Sequence, residues 1–371
     1  CGSNLGEGAG QTNAAAAPDI LILSNGDQIT GKLLRAVNGT VTFHSEILGD
    51  LNVTWDKIRS IRSSQNFAVI QEGQKITRKT PNSEVGLGPI QMDNQQVEVS
   101  AAPNAVAKAI PTKNAEYLID AGTYTKAVHG RPGFREGWTG SVTAGASQVE
   151  ATQNSRTFTT ALSAVRAVPN VVWLPPRTRI VVNFNSAYGS LSQPNTPTTK
   201  TNIIHGDVQH DWYLTPRFFA LATAMFDHNF SQGLDLQQIY GGGFGYTLIK
   251  TPKEELDLKA DVHYEKQSFG NTPGVFPPIF TPSKNLIGAD FGDTYLLHLP
   301  HGMLFNQTLI VTPAFNQSNA WSAIATAGLA FPVYKRFSFS LGALDNYLND
   351  PAVGSKKNSF QYTAGLTYTF E

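Results

Sequence analysis

From Trp138 to the C-terminus the chain repeats one pattern: a run of alternating polarity, then a cluster of turn residues. Twelve such runs are legible, at 138–149, 156–167, 177–189, 201–213, 217–230, 236–250, 254–267, 284–298, 302–315, 319–333, 336–348 and 358–370. Each is long enough to cross a bilayer at a tilt, and their number is even. The connections fall into two classes. "LTPR" (214–217), "IKTPKE" (249–254), "LPHG" (299–302) and "VYKR" (333–336) are short, and they alternate with "LSQPNTPTTK", "SFGNTPGVFPPIFTPSK" and "YLNDPAVGSKKN". One rim of tight turns and one of long loops is the layout of an outer-membrane barrel, which a soluble sandwich has no reason to adopt. "VPNVVWLPPRTR" (168–179) is a long member in a short-turn slot and breaks the pattern.

Side-chain parity agrees. In "ELDLKADVHYE" (255–265), Leu256, Leu258, Ala260, Val262 and Tyr264 share one face, with Asp257, Lys259, Asp261, His263 and Glu265 on the other. In the last run Phe360, Tyr362, Leu366, Tyr368 and Phe370 oppose Ser359, Gln361, Thr363 and Thr367. Lipid outside and a polar interior require that alternation. Composition sets the bounds. Charged residues make up 15%, below the roughly 25% of an ordinary soluble domain. Lys+Arg and Asp+Glu are equal at 28 each, so no basic field exists to hold nucleic acid. No apolar run is long enough for a transmembrane helix.

Upstream the texture differs. Residues 18–98 carry short runs broken by Asn25-Gly26 and Asn38-Gly39, which are strong hairpin signals. They predict a small SH3- or Sm-like β-domain with Trp55 in its core, and "ILSNGDQITGK" is faintly echoed by "VIQEGQKITRK" at 69–79. Residues 99–135 read as a linker before a barrel over 136–371. Residues 1–17 are Gly/Ala-rich and read as a tether, able to reach about 55–60 Å when extended. Cys1 is the sole cysteine, so no disulfide can form; followed by Gly2, Ser3 and Asn4, it is expected to carry lipoprotein acyl chains.

The stretch 206–269 resembles the salt-induced outer-membrane protein family. "YLTPRFF", "LDLQ", "GGGFGY" and "IKTPKEEL" carry the likeness, and "GWTGSVTAGAS" (137–147) fits it. Residues 23–61 are similar to an N-terminal domain found in some relatives. The resemblance implies an outer-membrane barrel and supplies no catalytic or ligand residues. The final "TAGLTYTFE" is similar to the C-terminal strand signal of such barrels, with Glu371 one residue beyond the aromatic.

Catalytic and metal chemistry find little footing. His205 and His210 are five apart, on opposite faces of a strand. His298 and His301 straddle a turn without a clear third ligand. "GGGFGY" (241–246) lacks the following helix that phosphate binding needs and reads as close packing in a strand. Trp138, Trp212 and Trp321 lie near strand ends, where interfacial aromatics belong. The expected lining of the interior is His205, Asp207 and Asp211, with Asp257, Lys259, Asp261, His263 and Glu265. The chain is thus expected to be all-β and non-enzymatic, without cofactor or metal: a twelve-stranded antiparallel outer-membrane barrel preceded by a periplasmic β-domain. Its expected partners are outer-membrane lipids, the acyl chains, and an envelope protein bound through 18–98 or loop 268–284. An anchoring or assembly role is the first reading; a passive channel for small solutes is the second.

Overall fold

The computed structural model describes residues 18–82, 84–100, 108–150, 154–193, 196–270, 281–353 and 355–370. The chain divides into two units, one running to Arg131 and including Val171–Leu174, the other made of Pro132–Asn170 and the chain from Pro175 on.

The first unit holds strands β1 (Asp19–Leu23), β2 (Gln28–Val37), β3 (Thr40–Ser45), β4 (Gly49–Thr54), β5 (Ile58–Gln71), β6 (Gly86–Asp93), β7 (Gln96–Val99), β8 (Lys108–Pro111) and β9 (Ala115–Asp120), then helix α1 (Ala121–His129). Asn38 and Gly39 both take positive φ (46° and 82°), as a two-residue hairpin turn requires of its centre. The strands form one barrel-like sheet in which β9 pairs with both β2 and β5, as β1 does. Along β2 the register passes from Asp19↔Gly31 to Arg35↔Ile119, so β1 and β9 succeed one another between the same two neighbours. The buried Asp19 carboxylate sits where they meet, accepting from the Leu33 amide and the Gln65 side chain at 2.7 Å each. Leu21, Phe43, Trp55, Ile61, Phe67 and Met92 form the core.

One expectation is corrected here. Residues 108–129, read as linker, supply β8, β9 and α1, because β9 completes the sheet and α1 covers a second apolar cluster. Within the echo at 69–79, β5 ends at Gln71, and among the described residues no strand follows until β6. Asp120 caps α1 by accepting from the Thr123 amide, which places Tyr124 and Val128 against Ile70 and Ile119. Trp173 stacks on Tyr124 with ring centroids 5.8 Å apart, and Leu174 joins the same cluster. That packing accounts for the long segment in a short-turn slot. Burial raises the Tyr124 hydroxyl above its ordinary pKa.

The second unit is a closed barrel of twelve antiparallel strands in chain order: β10 (Trp138–Glu150), β11 (Asn154–Val168), β12 (Thr178–Gln193), β13 (Thr196–Tyr213), β14 (Phe218–Asn229), β15 (Leu234–Lys250), β16 (Glu254–Phe269), β17 (Lys284–His298), β18 (Leu304–Thr312), β19 (Ser322–Tyr334), β20 (Phe337–Leu348) and β21 (Asn358–Phe370). It closes where β10 meets β21, from Gly140↔Phe370 to Ala144↔Leu366. "LSQPNTPTTK", expected as a long loop, is mostly strand: β12 runs to Gln193 and β13 starts at Thr196. Two short turns share one device. The hydroxyls of Thr215 and Thr251 each accept from two backbone amides, Arg217 and Phe218 in one turn, Lys253 and Glu254 in the other. The outer face is apolar, with Phe158, Tyr188, Phe244, Val262, Phe291, Phe339 and Leu366 among its exposed side chains. Trp212 is exposed near the end of β13, and Trp321 stacks on Tyr347 beside the start of β19. The glycines of β15 give the inward side chains room. A Cβ at Gly245 would sit 2.2 Å from the buried Phe219 ring, and one at Gly243 would sit 2.1 Å from the Ala260 carbonyl oxygen.

Candidate functional site

Among the described side chains of β12–β17, alternate residues face inward between the bulges, and there the chain concentrates its buried charge. Arg179, near the start of β12, holds the tight-turn end. Its Nε donates to Asp211 at 2.7 Å, Nη1 to Glu255 at 3.1 Å and Nη2 to Asp257 at 2.6 Å. The guanidinium also lies 5.6 Å from the centre of the Tyr213 ring and 5.3 Å from that of Phe219. Since β12 and β16 are four strands apart in the barrel order, this bridge spans the interior instead of joining neighbours. The second oxygen of each buried aspartate is also engaged. Thr247 donates to Asp257 at 2.7 Å and Gln209 to Asp211 at 2.6 Å, and Lys259 donates to Gln209 at 2.9 Å.

Toward the long-loop end, His205 lies between Asp227 (Nδ1, 2.7 Å) and Asp207 (Nε2, 3.1 Å), and the Asn183 amide donates to Asp207 at 3.0 Å. His210 faces the other way, beside Trp212 at 4.3 Å. On β16, His263 is flanked by Asp261 and Asp290, and Gln237 and Gln267 both donate to Glu265.

Opposite walls meet at two further levels. Met225 of β14 and Ile239 of β15 pack with Ile324 of β19, with Ile310 and Leu344 alongside. At the long-loop rim Leu234 and Phe269 cluster with Leu348 and Ala352. There Gln232 donates to the carbonyls of Asn346 (3.1 Å) and Lys357 (2.9 Å), although β14 and β20 are six strands apart.

All eight expected lining residues therefore lie on this wall. His205, Asp207, Asp211, Asp257 and Lys259 join the two groups of bonds above, and Asp261, His263 and Glu265 form a third group. Sequence reasoning missed Arg179, Asp227, Glu255 and Asp290 as partners. Parity along their strands was the available signal, but "TRIVVNFN" places apolar residues on both faces beside Arg179 and masks it. Cys1 and the tether, and most of loop 268–284, lie outside the described residues.

A closed, even-stranded antiparallel barrel with an apolar outside and a polar, internally bonded wall defines an outer-membrane β-barrel. The family model described as "Protein of unknown function, DUF481" matches residues 142–370, and the chain belongs to that family. No curated protein matches it. Among solved structures it is similar to an outer membrane channel from Pseudomonas putida F1 (12% identity, TM-score 0.35, 65% of this chain and 99% of that one). It is also similar to the translocator domain of the autotransporter NalP from Neisseria meningitidis (12%, TM-score 0.33, 62% and 87%). The β domain of the Bordetella autotransporter BrkA gives 9%, 0.33, 63% and 98%.

Proposed function

We propose that the barrel serves as a membrane anchor that presents the N-terminal β-module to an envelope partner, and that it is not an open pore. The carrying observation is that side chains join opposite walls at three levels: Arg179 to β16, Met225 and Ile239 to Ile324, and Gln232 to β20 and the β20–β21 connection. Twelve strands permit either a filled or a wet interior, so the side chains decide. A pore lining tuned for ions needs rings of one sign facing water. Here Asp211, Glu255 and Asp257 are bonded to Arg179, Asp207 and Asp227 to His205, and one oxygen of Glu265 to two neighbouring amides. In this reading the short turns and both barrel ends face the periplasm, and the module lies there with them. Acylation of the sole cysteine, Cys1, belongs to the same proposal. A passive channel is the second reading, favoured by the uneven interior: carboxylates crowd β13–β17, and a cation could follow that wall if the apolar contacts parted.

Protease added to intact cells tests the placement. The module over 18–131 should survive while the chain is cut within 268–284, and cleavage of the module alone would reverse the topology.

A further inference from the structure

His205 and His263 stand on the same polar wall, yet their surroundings differ. His205 is hydrogen-bonded through both ring nitrogens, at 2.7 and 3.1 Å. His263 is 5% exposed, and neither nitrogen has a hydrogen-bond partner. Carboxylate oxygens surround it at greater range: Asp261 Oδ1 and Asp290 Oδ2 each lie 3.5 Å from Nδ1, and Glu265 Oε2 lies 3.9 Å from Nε2. Those separations exceed the 2.7–3.2 Å of a hydrogen bond. They match the spacing of donors around one shared ion, since tetrahedral ligands at about 2.1 Å from a metal are roughly 3.4 Å apart.

The carboxylates are oriented for that purpose. Thr312 donates to Asp290 Oδ1 at 2.6 Å and Thr223 to Asp261 Oδ2 at 3.4 Å, which leaves the other oxygen of each turned to the imidazole. Asp261 Oδ1 and Glu265 Oε2 are buried without hydrogen bonds. Glu265 is fixed through its remaining oxygen by Gln237 and Gln267. The register brings the set together: Asp261 and His263 alternate on one face of β16, and Asp290 pairs directly with Asp261. Glycines keep the space open. A Cβ at Gly288 would sit 2.9 Å from His263 Nε2, and one at Gly241 would sit 3.0 Å from Asp261 Oδ1.

We propose that Asp261, His263 and Asp290, whose donor atoms lie within 4.8 Å of one another, bind a divalent first-row metal ion, with the Glu265 carboxylate, 3.9 Å from His263 Nε2, as the outer charge on the far side of the ring. One imidazole nitrogen and two carboxylates suit zinc or manganese, whereas calcium demands six to eight oxygens. This inference stands apart from the anchoring role and survives its failure.

The test is calorimetric titration of Zn2+ and Mn2+ into full-length protein without a histidine tag, stripped by chelator and held in detergent. Metal content after desalting is the second readout. Wild type should take up one equivalent. His263→Gln and Asp290→Asn should lose it, and Glu265→Gln should bind about 10–100-fold more weakly. Asp227→Asn, which alters only the His205 group, should bind as wild type does. Heat-modifiable gel migration reports whether each variant keeps its barrel. Wild type with no uptake, or folded His263→Gln and Asp290→Asn binding as wild type does, would overturn the assignment.

Discussion

Arg179 holds three carboxylates on its three nitrogens, with its side chain 12% exposed. Burying such a group is unfavourable unless every donor is matched, and removing one member leaves uncompensated charge at a cost of about 3–5 kcal/mol. Arg179→Met should therefore lower the unfolding free energy in detergent by an amount within that range, and the denaturant midpoint with it. Adding Asp257→Asn should recover part of the loss, because it removes one of the stranded acids. An unchanged midpoint in Arg179→Met would mean that the network contributes nothing to stability. At this scale the interior was half legible. Asp257, Asp261, His263 and Glu265 stand in clean alternation, while Arg179 and Asp290 do not, and pairing across four strands leaves no local sign in a sequence.

Each strand expresses its parity as lipid on one side and polar bonding on the other. Val262 is 64% exposed on the outer face between the buried Asp261 and His263. Val262→Arg should destabilise the barrel in lipid vesicles by about 2–4 kcal/mol, the cost of a cation at bilayer mid-depth. Equal stability of the two proteins in vesicles would show that this face does not meet lipid. Element boundaries were largely legible for the same reason: β17 and β21 coincide with their expected runs, since alternation and turn chemistry are local. The module's second half was not. β9 is six residues long and finds its partners in β2 and β5, far upstream, so nothing within 115–120 announces a strand. Val171–Leu174 was visible only as a broken loop rule, because its reason lies in packing on Tyr124.

At the scale of the molecule, a β-module and a barrel of the DUF481 family share one chain, and the barrel's own side chains span its interior. A solute path would need the Met225–Ile324 contact, the Arg179 bridge and the Gln232 bonds all to open. Planar-bilayer recording on the purified full-length protein addresses that directly. A closed anchor gives a quiet membrane after verified insertion, with at most brief, small openings. Steady, large conductance steps, uniform from one insertion to the next, would contradict it and place the protein among the channels.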